Sequence, residues 1–253
     1  MLIALWGQKG GSGKTTAAIA IAAELLARGK RVLLVDADPQ GTARTWADVA
    51  AEAKRPTPTV VAMGAKMHLP GQLDALAGSY DFTVIDCPPR HGDVQRSALM
   101  IADLAILPCG PAAVDVWAMT EPVEIIREAR KLRQDLRVFA LVTRRVSRAA
   151  IGAAARQALE ALGLAVLRSE LGFRIAYQEA PAAGLGIAQY APRSSAALEV
   201  RSLVDELLEE LAHGKKAKHY PKKTTKRSDA RGKIPLRVRD TARSKRTSKR
   251  RDV

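Results

Sequence analysis

The chain has few cysteines, few aromatic residues and no long hydrophobic run among its 253 residues. Its two cysteines, Cys87 and Cys109, stand outside any CxxC pair or histidine cluster, which argues against a disulfide framework and against a zinc site. No apolar stretch approaches the ~18 residues of a transmembrane helix, and the first residues carry no charged-then-apolar leader. We therefore expect a cytoplasmic protein with no membrane partner. Aromatic residues make up only 4%, so Ala, Leu, Val and Ile must fill its core.

Charge is divided unevenly along the chain. Residues 213–253 hold 17 of the 41 Lys and Arg residues but only three of the 26 Asp and Glu residues, so residues 1–212 are close to neutral. Hydrophobic periodicity also stops after His213, and like-charge repulsion with little apolar surface favours disorder. We predict a folded domain over residues 1–212 and a disordered basic tail over residues 213–253.

Short apolar runs alternate with longer Ala- and Leu-rich amphipathic runs. The runs at 32–35 (VLLV) and 104–107 (LAIL) are apolar at every position, as expected of strands covered on both faces. This alternation predicts an α/β fold with a doubly wound, mostly parallel sheet. The predicted strands are Leu2–Trp6, Val32–Asp36, Thr59–Ala62, Phe82–Asp86, Leu104–Pro108, Val138–Thr143 and Ala165–Arg168. The predicted helices are Lys14–Arg28, Thr42–Ala53, Gln72–Gly78, Val94–Ala102, Val116–Arg133, Ser147–Leu162 and Ser194–His213.

A glycine-rich loop, GQKGGSGKTT (7–16), separates the first predicted strand from the first predicted helix. Glycines let successive backbone N–H groups converge on an anion, and a helix N-terminus behind them adds a favourable dipole. We predict that Lys14 reaches the β- and γ-phosphates and that the Thr15 hydroxyl holds Mg²⁺. The strict pattern G-x-x-x-x-G-K-[ST] is not met, because Gln8 stands at its first position. The predicted phosphate-binding residues are Lys9, Gly10, Gly11, Ser12, Gly13, Lys14, Thr15 and Thr16.

Three motifs together resemble the deviant Walker A ATPases of the ParA/MinD family. The first is the loop with its extra lysine, Lys9. The second is RVLLVDADPQG (31–41), which resembles the DxDPQ switch, and the third is YDFTVIDCPP (80–89), which resembles the Walker B strand and second switch. Segments 106–118 and 176–207 resemble later parts of small ParA-type partition ATPases, so the resemblance covers residues 1–210. It implies a P-loop NTPase fold, with ATP and Mg²⁺ as cofactors.

The resemblance also implies a role for the extra lysine. In the family, two subunits close face to face over two nucleotides, and the extra lysine of each reaches the phosphates held by the other. A lysine placed before the glycines projects away from its own phosphate cradle, and its charge would offset charge in the transition state of the partner's nucleotide. The expected assembly is an ATP-dependent homodimer. The alternative is that Lys9 adds positive potential within its own chain only.

Three aspartates end or follow predicted strands. Asp86 ends an apolar strand, at the sheet edge where ligands of such folds bind, and we predict that it holds Mg²⁺ through water. The resemblance implies that Asp38 positions the attacking water and that Asp36 helps around the metal. Asp38 could instead be a turn residue before Pro39, and Asp86 a cap. The predicted metal ligands are Thr15, Asp36, Asp38 and Asp86, and the predicted catalytic residues are Lys9, Lys14 and Asp38.

The base pocket and the cysteines have less specific signals. Family members often place an asparagine where this chain has Thr143, and the loop near Pro181 is a second candidate, so these two are the predicted base contacts. Some relatives hold an iron–sulfur cluster between subunits with two cysteines each. The glycine-rich surroundings of those cysteines are absent here, so we predict that Cys87 and Cys109 are small buried residues.

The basic tail is predicted to bind DNA, which the resemblance also implies for the ATP-bound dimer. Seventeen basic residues can neutralise many phosphates, which makes binding steeply salt-dependent, and the Ser and Thr residues between them can bond phosphate oxygens. A solubilising tail is the alternative. A membrane helix is disfavoured because Ile234, Leu236 and Val238 alternate at period two. Arg193 and Arg201 are weaker candidates for DNA contact. The predicted DNA contacts are Lys215, Lys216, Lys222, Lys223, Lys226, Arg227, Lys245, Arg246, Lys249, Arg250 and Arg251.

The sequence therefore predicts a nucleoid-associated DNA-partition ATPase with slow hydrolysis. Its expected partners are DNA, bound without sequence preference, and a ParB-like centromere-binding protein or other cargo adaptor that stimulates hydrolysis. One alternative is the same ATPase acting on a protein cargo or a conjugative-transfer complex. Another is a nucleotide-regulated DNA-binding or repressor protein with negligible turnover.

Overall fold

The computed structural model describes residues 1–146 and 151–215. Within them, seven parallel strands form one sheet in the order β3-β2-β4-β1-β5-β6-β7. The strands are β1 (Leu2–Leu5), β2 (Val32–Asp36), β3 (Thr59–Ala62), β4 (Phe82–Asp86), β5 (Leu104–Cys109), β6 (Arg137–Val142) and β7 (Ala165–Val166). The helices are α1 (Lys14–Ala27), α2 (Thr42–Glu52), α3 (Leu73–Ala77), α4 (Gly92–Ile101), α5 (Ala113–Trp117), α6 (Thr120–Leu132), α7 (Ile151–Ala161), α8 (Ala176–Ala182), α9 (Ile187–Tyr190) and α10 (Ser195–Lys215). The predicted α/β fold with a doubly wound parallel sheet is confirmed.

Alternate residues of the central strands enter two apolar layers, one on each face of the sheet. In β1, Ile3 and Leu5 enter the layer that contains α1, α2 and α8–α10, whereas Ala4 enters the layer that contains α3–α7. The Ala-rich helix α1 is buried over most of its length, because small side chains let it pack closely in the first layer. Both faces of the sheet are therefore covered, as the fully apolar strand sequences predict.

The strand order places the loop after β1 at the point where the crossover direction reverses. Strands β2 and β4 lie on one side of β1, and β5 and β6 lie on the other. Ligands of open parallel sheets bind outside the carboxyl ends of the strands at such a point. The glycine-rich loop, Asp86 and the segment after β5 all lie at this edge of the sheet.

Several predicted boundaries differ from the structure. The prediction of one helix over Val116–Arg133 is wrong, because α5 ends at Trp117 and α6 begins at Thr120. Pro122 explains the break, since it lacks the N–H that would continue the first helix and fits the first turn of a new one. The short helices α8 and α9 were missed, and β7 ends two residues early. The predicted helix from Ser147 is described only from Ile151, since residues 147–150 lie outside the described residues. Helix α10 continues to Lys215, past the predicted boundary at residue 212.

None of the helices in the described ranges is both long and apolar enough to cross a bilayer.

Candidate active site

The glycine-rich loop lies at the carboxyl end of β1 and leads directly into α1. Gly11 and Gly13 have φ angles of 69° and 97°, in the left-handed region that glycine adopts without strain. Gly13 is the N-cap of α1 and has no side chain to bond the first N–H groups of the helix. The hydroxyl of Thr143 donates to the carbonyl oxygen of Ser12, 2.8 Å away, and so ties the end of β6 to the loop. The loop thus has the backbone geometry of an anion site at a helix N-terminus.

Lys14 is buried at the first position of α1. Its Nζ donates to the carbonyl oxygen of Lys9, 2.8 Å away, across the loop. Burial lowers the pKa of Lys14, while the nearby carboxylates of Asp86 and Asp38 raise it. Lys14 therefore lies within electrostatic range of Asp86 and Asp38, two of the predicted metal ligands.

The second lysine of the loop has an anion within its own chain. Lys9 Nζ lies 2.5 Å from Oδ1 of Asp115, a buried carboxylate in α5. Nη2 of Arg144 lies 3.3 Å from both oxygens of the same carboxylate. A Cβ at Gly110 would collide with this carboxylate, so the close approach requires glycine there. In the single chain, Lys9 therefore pairs within its own chain rather than projecting away from it.

Sequence reasoning named neither Asp115 nor Arg144. They lie in the segments after β5 and β6, and only the order of the sheet brings them beside the loop after β1. One signal was available for Asp115, because it is the one charged residue in the apolar run AAVDVWA (112–118). Arg144 has φ of 53°, which is uncommon for a residue other than glycine and typical of functional sites.

Asp86 lies at the end of β4 and is fully buried. The pKa of Asp86 is raised to about 7, mainly by burial. The negative charges of Asp36 and Asp38 also raise this pKa, whereas the Thr15 hydroxyl and the charge of Lys14 lower it. The Thr15 hydroxyl is near enough to act on this pKa but falls short of hydrogen-bond geometry. Within residues 1–146 and 151–215, neither carboxylate oxygen of Asp86 has a hydrogen-bond partner. A buried carboxylate beside Thr15 and Lys14 fits Mg²⁺, because a divalent cation would compensate its charge.

The other two predicted metal ligands make hydrogen bonds within their own segment. Asp36 Oδ1 accepts from the backbone N–H of Asp38 at 3.2 Å, and Oδ2 accepts from that of Arg44 at 3.0 Å. Asp38 Oδ1 accepts from the backbone N–H of Gln40 at 2.9 Å, in the turn before α2. Asp36 therefore organises the segment between β2 and α2, while Asp38 is less buried and lies near Lys14 and Asp86.

A small cavity of about 150 Å³ opens beside the loop. Thr143 lines it, as predicted, but Pro181 is not among its lining residues and lies inside α8. The far wall comes from residues 171–178, which are the segment before α8 and the first turn of that helix, and the sequence predicted no base contact there. The cavity is lined by Gly11, Gly13, Thr16, Thr143, Arg144, Leu171, Gly172, Phe173, Arg174, Tyr177 and Gln178.

A larger cavity of about 850 Å³ has Lys9 among its lining residues. Its walls come from the loop after β1, from α4, and from α5 and α6. Trp117 lines it and is 70% exposed, although tryptophan is usually well buried. Val114, one turn earlier in α5, is 56% exposed. Trp117 therefore presents an apolar surface in the cavity that Lys9 also lines.

Both cysteines are free and buried in the second apolar layer, the one that contains α3–α7. Burial raises the pKa of the Cys87 thiol well above its usual range and that of Cys109 to about 12. A buried thiol that stays protonated is a poor ligand for a cluster shared between subunits. The structure therefore agrees with their prediction as small buried residues.

The predicted DNA contacts lie at or beyond the end of the described chain. Lys215 is the last residue of α10, and Lys216, Lys222, Lys223, Lys226, Arg227, Lys245, Arg246, Lys249, Arg250 and Arg251 lie outside the described residues. Of the two weaker candidates, Arg193 is exposed, and Arg201 donates to the carbonyl oxygen of Pro192 at 3.1 Å.

Comparison with known families matches residues 3–187 to the CobQ/CobB/MinD/ParA nucleotide-binding domain. A carboxysome-distribution protein (maintenance of carboxysome distribution protein A) of Halothiobacillus neapolitanus is 35% identical over 209 residues, covering 81% of this chain and 95% of the relative. The chromosome-partitioning ATPase Soj of Thermus thermophilus is 32% identical over 237 residues, covering 81% of this chain and 94% of the relative.

Solved structures share the fold at low sequence identity. Apo McdA from Cyanothece superposes with a TM-score of 0.67 at 17% identity, covering 81% of this chain and 98% of that structure. The septum site-determining protein MinD of Pyrococcus horikoshii, solved with Mg-ADP, superposes with a TM-score of 0.65 at 20% identity, covering 84% and 98%. The sheet order, the two-lysine loop and these matches agree: the chain belongs to the CobQ/CobB/MinD/ParA family and is an ATPase of the ParA/MinD type.

Proposed function

We propose that the chain is a DNA-partition ATPase that closes into a face-to-face dimer over two ATP molecules and binds DNA in that state. The observation that carries the proposal is the two-lysine loop beside the buried, unpartnered carboxylate of Asp86. A loop of this kind needs a polyanion, and Asp86 needs a cation. Magnesium triphosphate supplies both.

The loop N–H groups and Lys14 are assigned to the phosphates. Lys14 would exchange its bond to the Lys9 carbonyl for bonds to phosphate oxygens, a stronger charge-assisted interaction. Thr15 and Asp86 would hold Mg²⁺, which neutralises charge on the phosphate oxygens when bound. Asp38 would orient the attacking water, because its carboxylate is partly exposed near Lys14 and Asp86. The base would enter the small cavity beside Thr143 and Gly13.

The dimer is proposed from the position of Lys9 and its surroundings. The Lys9 side chain is 39% exposed and pairs with Asp115 of the same chain. It therefore lies at the surface beside the loop and not inside the phosphate site. Exposed Trp117 lines the same cavity as Lys9, exposed Val114 lies one turn earlier in the same helix, and a second copy would cover both. Lys9 would then contact the partner's phosphates and stabilise charge in the transition state.

The dimer is tested with Lys9→Ala. We expect ATP affinity to stay within about threefold of the unchanged protein while turnover falls by about 10²-fold, because the charge is removed from the transition state only. Molar mass is measured by light scattering with a slowly hydrolysed ATP analogue, and turnover by phosphate release. Lys66→Ala, an exposed lysine in the loop after β3, is the matched control. A wild-type protein that stays monomeric with the analogue contradicts the proposal.

DNA binding is proposed chiefly for the basic segment 213–253, which carries 17 Lys and Arg residues. We propose that the protein acts on nucleoid DNA in the cytoplasm, with a ParB-like or other adaptor that stimulates hydrolysis. DNA co-sedimentation of the full chain and of a chain ending at His213, with ATP, ADP or no nucleotide, tests this. The shorter chain should bind more weakly, and its slope of log affinity against log salt should be shallower. An equal slope would assign DNA binding to the folded domain.

A second candidate function is the positioning of a protein cargo by the same ATPase. The relative from Halothiobacillus neapolitanus, named for maintenance of carboxysome distribution, favours it. The two candidates differ in the adaptor, which binds either a DNA site or a protein assembly. Stimulation of ATP turnover by a purified adaptor, with and without its DNA site, separates them. Absence of turnover under every condition would instead favour a nucleotide-regulated DNA-binding protein.

A further inference from the structure

A buried glutamine joins the two segments that bracket the candidate active site. Gln95 lies near the start of α4 and is only 1% exposed. Its Nε2 donates to the carbonyl oxygen of Pro88 at 2.7 Å and to that of Gly7 at 3.2 Å. Gly7 begins the glycine-rich loop, and Pro88 lies two residues after Asp86. One side-chain amide therefore connects the phosphate loop to the segment that carries the proposed metal ligand.

The backbone cannot make this connection by itself. The ladder between β1 and β4 ends at Asp86. Pro88 and Pro89 follow, and proline has no N–H with which to extend a ladder. The two N–H groups of Gln95 thus supply hydrogen-bond donors immediately after the paired part of β1 and β4 ends.

The orientation of the Gln95 amide follows from its neighbours. Two carbonyl oxygens can accept only from the NH₂ group, so Nε2 faces them and Oε1 faces the other way. Oε1 is buried and has no hydrogen-bond partner among the described residues. The backbone of Gln95 is also held, because Trp6 Nε1 donates to the backbone carbonyl oxygen of Gln95 at 3.2 Å. An unpartnered buried oxygen destabilises a fold, so packing alone does not account for glutamine here.

We propose that Gln95 is a positioning residue for ATP hydrolysis. It fixes the phosphate loop relative to the Asp86 segment, so that Thr15 and Asp86 can share one metal ion. The inference rests on the nucleotide site proposed above. Gln95 itself touches neither nucleotide nor metal. Without it the loop still binds phosphates through its own N–H groups and the β1–β4 ladder still holds Asp86, but the segment after Asp86 loses its side-chain link to the loop.

The test is Gln95→Met, which keeps the length of the side chain and removes both donors. We expect kcat to fall about tenfold while KM for ATP stays within about threefold, because the loss is confined to alignment of the reacting groups. The affinity for Mg²⁺, measured by titration calorimetry with a slowly hydrolysed ATP analogue bound, should also fall, which gives a readout of the Mg²⁺ requirement that does not depend on turnover. Ser97→Ala is the matched control, since Ser97 is buried on the same helix and accepts from the backbone N–H of His68 at 3.1 Å, outside the site. It should leave kcat, KM and the Mg²⁺ requirement unchanged.

Two outcomes overturn the inference. One is a folded Gln95→Met protein with wild-type kcat and Mg²⁺ requirement. The other is a kcat that falls only in proportion to the folded fraction measured by circular dichroism. If the methionine variant does not fold, Gln95→Asn keeps the NH₂ group on a shorter side chain and should give an intermediate kcat with unchanged KM; a raised KM with unchanged kcat contradicts the role. A wild-type protein without ATP turnover contradicts the proposed function, whereas an active wild type with an equally active Gln95→Met contradicts only this inference.

Discussion

Two buried aspartates lie on opposite sides of the phosphate loop, and their surroundings are opposite in kind. Asp115 follows β5 and has two cations on its carboxylate, Lys9 at 2.5 Å and Arg144 at 3.3 Å. Asp86 ends β4, has no hydrogen-bond partner among the described residues, and has a pKa raised to about 7. Strands β4 and β5 are the two neighbours of β1, so the loop separates a satisfied carboxylate from an unsatisfied one.

The difference separates a structural charge from a functional one. A buried carboxylate with partners stabilises the arrangement in which it is found. A buried carboxylate without partners destabilises the empty protein and persists where a ligand compensates it. Asp86 therefore indicates where the cation belongs, and Asp115 indicates how Lys9 is held in the single chain.

The largest effect is expected from Asp86→Asn, which keeps the volume of the side chain and removes its charge. We expect ATP turnover to fall by about 10²–10³-fold, because the metal loses its buried ligand. Phosphate release at saturating ATP and Mg²⁺ measures this. Asp81→Asn is the control, since Asp81 precedes the same strand at its other end and pairs with Arg31 on the surface. Equal turnover in both variants would remove Asp86 from the site.

The next effect concerns stability: the same buried carboxylate that is needed for turnover should destabilise the folded protein when no ligand is bound. The folded pKa of Asp86 is about 7 against an ordinary value of 3.8, so the folded state holds its proton in that range while the unfolded state has lost it. The free energy of unfolding should therefore fall as pH rises from about 4 to about 7, by up to about 4 kcal/mol from this group. Urea unfolding at several pH values, without nucleotide and Mg²⁺, measures it.

Asp86→Asn supplies the reference for that titration. Other groups titrate in the same range, so the quantity that matters is the difference between the two proteins. The variant should be more stable than the wild type at pH 8 and should lack this part of the pH dependence. Parallel curves for the two proteins would show that Asp86 is ionised and compensated even without a ligand.

The sequence was sufficient for the sheet, the loop and the Asp86 side of the site. Strands with apolar residues at every position, a glycine-rich turn into an Ala-rich helix, and an aspartate at a strand end are local signals. Each of them specifies its own segment without knowledge of the rest. That is why the seven strands and the start of α1 at Lys14 could be predicted.

The other side of the site could not be predicted in the same way. Asp115, Arg144 and Gln95 each bond a residue that is 29 to 106 positions away in the chain: Asp115 bonds Lys9 and Arg144, and Gln95 bonds Gly7. Their roles depend on the strand order, which brings the segments after β1, β4, β5 and β6 to one edge. The cavity beside the loop could not be predicted for the same reason: its far wall comes from residues 171–178, which reach into α8, a helix that the sequence did not reveal.

The smallest effect is expected from Asp115→Asn, and it tests the satisfied side of the comparison. Removing this charge leaves Lys9 and Arg144 without their anion, but both cations are about 40% exposed, so water compensates much of the loss. We expect the free energy of unfolding to fall by about 1–2 kcal/mol, against less than about 0.5 kcal/mol for Asp205→Asn. Asp205 is the matched control because it also lies 2.5 Å from a cation, Arg28, but is 63% exposed. Burial is thus the main variable between the two pairs, and equal losses would mean that Asp115 is no more than a surface charge.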